Sequence, residues 1–555
     1  MNAIYFIVAF ILLIGPLIFI HELGHFLFAK LFGVKVIRFS LGFGPAIPGF
    51  RRTWGETEYQ VAAFPLGGYV KMLGEDPTEE LKEEERRRSF QHVALWKRCV
   101  IVAAGPVFNL ILPILIFFVA YLGIDKADPA TVGTVLPGSP AAKAGLRPGD
   151  ELVEIEGRPI KYWRDMRDIV QERPERATRF VVRRDGKEHR LDITPALRKR
   201  FTMLRVIKRE GQLGILLAYT RAQVGIRAAE TPAAQAGLRT GDLVTHVAGK
   251  PIRTWHDLEQ ALMKAAGTPV TLTVLRQTPP LLGFADLRLF EPAKVTVAPT
   301  EDRARSEGWL AYGIEAVEMY VDRVEPGSPA AKLGLAPGDR ISALDGQAID
   351  HWITLRQKLH DSSTKTFSLS WRRPDGTTGT GRFQQQVVKE KDEFKQEQKS
   401  YVFGAVNRVI YSVPEAVAVP FGARLGHAAF SAPATTWEIV ENMVVGIAQI
   451  IRGNIPSDTI GGPIMLAYVA RTAARRGWET FLFILAFISI NLALINLLPI
   501  PILDGGHILV FTIEAIRRKP ISLNARSAMN LVGLVFIVLL MVLAFTNDCN
   551  RYIFN

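Results

Sequence analysis

The sequence predicts a polytopic α-helical membrane protein with about four transmembrane helices and three α+β domains inserted between spans two and three. Three observations predict it: long apolar runs at both ends of the chain, a middle of ordinary soluble composition, and a threefold repeat that fills the middle. At 555 residues the chain is several domains long. With 48% hydrophobic and 22% charged residues it is too apolar for a disordered chain. Two cysteines, Cys99 and Cys549, exclude a disulfide scaffold and a cysteine-based zinc module. The net charge of +13 is scattered and fits no nucleic-acid motif, so no nucleic-acid partner is expected.

The spans come first in order. Ala3 to Ile20 is 18 residues without a charge, and apolar chain resumes after His21 and Glu22. Val100 to Ile124 is a run of 25 whose one strongly polar member is Asn109. Phe481 to Leu503 is the third, and Leu531 to Phe545 the fourth, extendable both ways. At about 20 residues per hydrocarbon core these are four spanning helices. A cleaved signal peptide is the other reading of the first, but it lacks a basic n-region and a small-residue cleavage site. Thr436 to Ile451 carries Glu438 and Glu441 and reads as an amphipathic interfacial helix. The stretch Glu79 to Arg88 reads as a solvated helix. The loop Lys30 to Arg98 holds 12 Lys and Arg, and Arg517, Arg518 and Lys519 follow the third span. The positive-inside rule puts both loops in the cytoplasm, and the termini and central block outside.

The middle repeats itself. Pro140-Ala-Ala-Lys-Ala-Gly-Leu-Arg-Pro-Gly-Asp150 recurs from Pro232 and from Pro329, spacings of 92 and 97 residues. Each copy continues to a glycine (Gly157, Gly249, Gly346) and a tryptophan (Trp163, Trp255, Trp352) at fixed offsets. Proline in the first turn starts a short helix, Gly-Asp closes it, a strand and a tight turn follow, and an amphipathic helix comes after the tryptophan. This pattern resembles the circularly permuted bacterial PDZ domain over roughly 126–408. The resemblance implies that the peptide-binding strand comes last, at Leu213-Gly214-Ile215 and Tyr312-Gly313-Ile314, with Phe403-Gly404-Ala405 a weaker third match. Such domains bind extended peptides by strand addition. The alternative is that the copies are spacers or a size filter without ligands.

The chemistry lies at the chain's two ends. His21-Glu22-Leu23-Gly24-His25 is HExxH inside an apolar helical run. Histidines at i and i+4 share a helix face, so both rings reach one metal, and Glu22 beside them can take a proton from water. Ionisable side chains at lipid depth are costly and mark function. A structural histidine pair is the bland alternative. A third ligand is needed. Glu56 and Glu58 are near but sit in a polar loop that reads as hairpin. Asn496-Leu-Leu-Pro499-Ile-Pro501-Ile-Leu-Asp504-Gly-Gly-His507 offers Asp504, which closes an apolar span broken by prolines. Such a break should line a cavity rather than face lipid. His507 is a rival ligand that spacing leaves open. Gly42-Phe43-Gly44-Pro45 and Phe64 to Met72 alternate apolar and small residues as β-hairpins do.

HELGH in a first span, Asn-x-x-Pro-x-Pro-x-Leu-Asp-Gly in a later one and PDZ-like copies between them resemble the site-two protease family. More narrowly they resemble its bacterial regulator-of-sigma-E protease group. The resemblance implies one Zn²⁺ on His21, His25 and Asp504, Glu22 as acid/base, and Asn496 with Asn491 holding the substrate backbone. Pro499, Pro501, Gly67 and Gly68 join them as expected substrate-contacting positions, the glycines in a membrane-reentrant β-loop. The other reading of that loop is a cytoplasmic hairpin that only packs on the first span. The implied activity is zinc metalloendopeptidase cleavage within the bilayer. Its substrate would be a single-span membrane protein trimmed beforehand by another protease, anti-sigma factor or remnant signal peptide in type. The implied setting is the bacterial inner membrane, with the PDZ-like domains periplasmic, open to peptide ligands, and the active site toward the cytoplasm. The expected divisions are 1–125 (the HExxH span, the cytoplasmic β-loop and the second span), 126–217, 218–316 and 317–408 (the PDZ-like copies), 409–478 (connecting and amphipathic interfacial helices) and 479–555 (the span carrying Asp504 and the last span). A third PDZ-like copy departs from the two of familiar members. The rival from another class is a non-catalytic PDZ scaffold that tethers envelope proteins, but a scaffold has no need of a buried glutamate.

Overall fold

The computed structural model describes residues 3–75, 81–201, 207–265, 267–278, 289–299, 308–361, 365–391, 397–407, 409–453 and 459–554. Seven helices of 14 residues or more stand among them: α1 (Ala3–Leu31), α2 (Leu95–Gly123), α3 (Phe421–Ile451), α4 (Pro463–Arg476), α5 (Trp478–Leu497), α6 (Asp504–Arg517) and α7 (Leu523–Cys549). Among the described residues, four segments are long and apolar enough to cross a membrane: Val8–Leu31, Leu95–Gly123, Trp478–Leu497 and Leu523–Phe554.

Two of these differ from the apolar runs in instructive ways. The first continues through HELGH as one helix to Leu31, because polar side chains leave the main-chain ladder uninterrupted. The third stops at Leu497, six residues before the run ends, and Asp504 opens a separate helix. Pro499 and Pro501 cannot donate to a helical ladder, so the chain between them is extended or turned. The interfacial helix expected over Thr436 to Ile451 is the second half of the 31-residue α3. In the charged stretch, only Glu83–Arg86 is helical among the described residues, and Glu79 and Glu80 lie outside them.

α2 is the central post. α1, α3, α5 and α6 pack on it, while α4 lies against α1, α5 and α7. Leu13 and Leu17 of α1 are fully buried in one cluster with Ala470 of α4 and Leu485 of α5. Between α1 and α2 the chain forms one long hairpin, β1 (Val36–Trp54) with β2 (Thr57–Met72), rather than two. It folds on itself, so residues 36–41 pair with 68–72 on one side and with 58–61 on the other. Residues 68–72 are thereby left as an edge.

The middle holds three α+β units of one plan. Each has a one-turn helix (Pro140–Lys143, Pro232–Gln235, Pro329–Lys332) capped by Ser139, Thr231 or Ser328, whose side-chain oxygen accepts a backbone N–H. Each has a four-stranded antiparallel sheet. Each has a helix that the repeated tryptophan opens, Trp163–Gln171, Trp255–Lys264 or Trp352–Asp361. Each closes its own apolar cluster, around Phe180, Leu272 and Leu369 respectively. The ends of the block are joined: Lys126–Ala127 pairs with Val417–Ala418, and the Val419 N–H donates to the Asp125 carbonyl at 2.8 Å.

Candidate metal centre and active site

The site starts from a close crossing of α1 and α2. A Cβ at Gly24 would stand 2.4 Å from the Ala104 carbonyl oxygen, and one at Gly105 2.3 Å from His25 Nε2. Any side chain there would push the helices apart or fill the space the imidazoles occupy.

His21 and His25 sit one turn apart on the face of α1 that meets α2. His25 Nδ1 is 2.9 Å from the Ile101 carbonyl oxygen. That oxygen only accepts, so Nδ1 carries the proton and Nε2 keeps its lone pair. His21 Nδ1 is 3.2 Å from the amide nitrogen of Asn109, whose Oδ1 is buried without a partner. Turning the amide over lets Oδ1 accept from His21 Nδ1–H and removes the orphaned oxygen. Both rings then offer Nε2 to the same point. Ser489 of α5 fixes α2 here by donating to the Asn109 carbonyl at 2.7 Å.

The third donor is Asp504, the first residue of α6. Its Oδ2 lies 3.2 Å from His21 Nε2 and 3.7 Å from His25 Nε2, and the two Nε2 atoms are 3.2 Å apart. A tetrahedral zinc with bonds of about 2.0–2.1 Å sets its ligand atoms about 3.3 Å apart, so the residues fit the ion. Among the described residues, these three form the one such group of His, Cys, Asp or Glu side chains. His507 is not in it; its ring is exposed and lies tilted 6.4 Å from Phe511. Glu56 and Glu58 are elsewhere, Glu56 paired with Lys30 and Arg88 at 2.7 Å each, Glu58 with Arg38 at 2.6 Å.

Glu22 is buried, 8% exposed, and turns toward the hairpin. A Cβ on Gly68 would meet its Cγ at 2.8 Å, so the edge passes against the Glu22 side chain where it begins, at Gly68. Gly67 has φ +137°, and its missing Cβ leaves room for the Phe43 ring. Asn496 is half-buried and Asn491 exposed near the end of α5, and neither side chain has a partner among the described residues. Pro499 is exposed; the Pro501 carbonyl fits against Gly533 of α7.

In the units, Ile215, Ile314 and Ala405 each follow a glycine of positive φ (Gly214, Gly313, Gly404) and pair antiparallel with Val135, Ile226 and Val324 of their own units. Leu213, Tyr312 and Phe403 before those glycines are buried in their units' cores. The weaker third match takes the same place as the other two.

Sequence reasoning passed over Asn109, Ser489 and the paired glycines Gly24 and Gly105. Asn109 had a signal, a single amide in 25 apolar residues. The glycines had none, since their meaning depends on which helix crosses which.

A histidine pair and a carboxylate brought together among membrane-length helices, with a glutamate beside them, match the donor set of a hydrolytic zinc site. The chain belongs to peptidase family M50, which it matches over residues 9–540. It is 28% identical to the regulator of sigma-E protease RseP of Escherichia coli, over 98% of each chain. It is 30% identical to the protein of that name in Salmonella typhimurium, again over 98% of each. Protease RseP of Yersinia pestis is 29% identical, over 99% of this chain and 100% of that one.

Proposed function

We propose that this chain is a zinc metalloprotease that cuts single-span membrane proteins within the bilayer, in the bacterial inner membrane. The observation that carries this reading is the approach of His21, His25 and Asp504 to one point beside Glu22, within a bundle of membrane-length helices. Family membership supports the peptidase chemistry.

His21, His25 and Asp504 hold Zn²⁺, and Ile101 and Asn109 fix the two imidazoles. Zinc there supplies Lewis acidity to the scissile carbonyl and a more acidic water. Glu22 takes the proton of the attacking water and returns it to the leaving amine. A peptide bond in a transmembrane helix is shielded by its own hydrogen bonds, so the substrate must unwind first. The edge residues 68–72, with Gly67 and Gly68 at their start, receive the extended segment as an added strand. The free amides of Asn496, beside the Pro499-Pro501 break, and of Asn491, further back on α5, satisfy its remaining backbone groups.

The units over 126–217, 218–316 and 317–408 act as PDZ-like domains on the periplasmic side. The substrate arrives after another protease has trimmed its outer domain, and the units hold back bulky ones. The strands at Leu213-Gly214-Ile215 and Tyr312-Gly313-Ile314 are their peptide-binding edges.

Cleavage of a single-span test substrate in proteoliposomes, alongside zinc content, tests the reading. Glu22→Gln should lose cleavage by about 10²–10⁴-fold and keep its zinc, since the base holds no metal. His21→Ala, His25→Ala and Asp504→Ala should lose zinc. Full cleavage by Glu22→Gln, or full zinc in Asp504→Ala, would refute it.

A further inference from the structure

The third unit breaks the repeat at one place. In the first, Arg184 grips Asp150 with two bonds of 2.7 Å and reaches the Gly145 carbonyl. Arg276 does the same to Asp242 and Gly237 in the second. Strand register makes Arg373 their counterpart, since Arg340 opposes Arg372 as Glu151 opposes Arg183 and Leu243 opposes Leu275. Yet Asp339 accepts the Ala336 N–H at 2.9 Å and, among the described residues, has no bond to Arg373, which is exposed.

The neighbouring pair is also altered. The first unit sets Glu151 against Arg183 in an ion pair of 2.8 Å. The third sets Arg340 against Arg372, like charges directly across a ladder, which is unfavourable on its own. Glu315, from the last strand of the second unit, offsets it. Its Oε2 lies 3.2 Å from Arg340 Nε, and its Oε1 accepts from Arg372 and from the Tyr320 hydroxyl. Asp350 approaches Arg340 at 3.8 Å from an exposed position. The three arginines, with Thr240 and Tyr320, line a cavity of about 80 Å³ at the seam between the units.

We propose that this cavity is an anion site that takes one carboxylate of a peptide, either a C-terminus or an acidic side chain, with Arg373 as its main donor. The space fits one planar oxyanion. Glu315 is already a carboxylate held by the same cluster, and a guanidinium fork matches a second one in geometry. Among the described residues, Arg373 makes none of the side-chain hydrogen bonds that its counterparts make to the turn aspartate, although its charge is felt by Asp339 and Asp375, so its guanidinium keeps donors for an incoming carboxylate. The site lies outside the helical bundle, so its failure would leave the protease reading untouched.

Fluorescence anisotropy on the full chain in detergent tests it. The probes are a fluorescein-labelled alanine-rich hexapeptide with a free C-terminus, its C-terminal amide, and the amide carrying one internal glutamate. At least one acid should bind about tenfold tighter than the neutral amide, the gain of one charge-assisted bond. Which acid binds tells C-terminus from side chain. Arg373→Ala should erase the preference and Arg373→Lys keep part of it, both with unchanged melting temperature and unchanged cleavage of the test substrate. No preference for either acid in the native chain, or the same preference in Arg373→Ala, would overturn the proposal.

Discussion

Asn109 and Asp150 are both buried polar side chains, one in the helical bundle and one in the first repeat unit, and they serve different ends. Asp150 closes a turn against Arg184, and the second unit writes the same contact again with Asp242 and Arg276. Asn109 occurs once, has no counterpart, and faces an imidazole rather than a structural partner. In the repeated units a recurring polar contact is part of the fold, and a departure from recurrence draws notice. Within the bundle, where lipid makes each polar group expensive, a lone amide against an imidazole draws notice, whereas buried Asp548 serves the fold by accepting the N–H groups of Gly462, Ile464 and Met465.

The widest gap between the regions should appear at glycine. Gly105→Ala places a methyl 2.3 Å from His25 Nε2 and should cost most of the bound zinc and cleavage. Gly157→Ala in the first unit meets open space at φ +78°, and should cost only about 1 kcal/mol of that unit's stability. Zinc analysis and thermal unfolding of the two variants separate the cases. If Gly105→Ala keeps its zinc, the crossing is looser than its geometry implies.

Asn109→Ala comes next. Loss of an outer-shell partner typically weakens metal binding about 10–100-fold, so zinc should leave at lower chelator concentration while melting changes little. Arg184→Ala should do the reverse. It strands the buried Asp150 carboxylate, costs about 3 kcal/mol, and leaves zinc retention as it was. Equal zinc loss in both variants would erase the distinction between the regions.

How much the sequence disclosed follows the same division. HELGH and the Asp504 segment were readable because ionisable residues in apolar runs have few structural uses. The repeat was readable because three aligned copies leave no register to choose. Helices were expected over 409–478, but α4 had no readable bounds, since Arg471, Arg475 and Arg476 dilute a short apolar face that only α1, α5 and α7 complete. The first half of α3 lacked bounds for a related reason: its alanines and glycines give the helix little hydrophobic contrast. Asp504 stood out as a candidate ligand, but its place at the head of a new helix depended on where the prolines let helix resume.

The smallest effect belongs to a charge cluster at the rim of the bundle. Glu56, in the turn between β1 and β2, pairs with Lys30 at the end of α1 and with Arg88, tying the hairpin to the helix that bears HELGH. Hydrogen bonds from Arg88 and then Lys30 hold its carboxyl down to about 2, from an ordinary value of 4.5. A depressed carboxyl contributes stability that is fully present above its unfolded pKa and fades as pH falls from about 4.5 toward 2. The side chain is 32% exposed, so solvent screening keeps the contribution below about 1 kcal/mol. Glu56→Gln should therefore melt slightly lower than the native chain at pH 7 and low salt, and the gap should close as pH drops below 4 or as salt rises. Zinc content should not change, because the carboxylate lies outside the metal-donor group. A Glu56→Gln protein that loses zinc would mean that the hairpin's hold on α1 reaches the metal, and that the rim and the site are one cooperative unit.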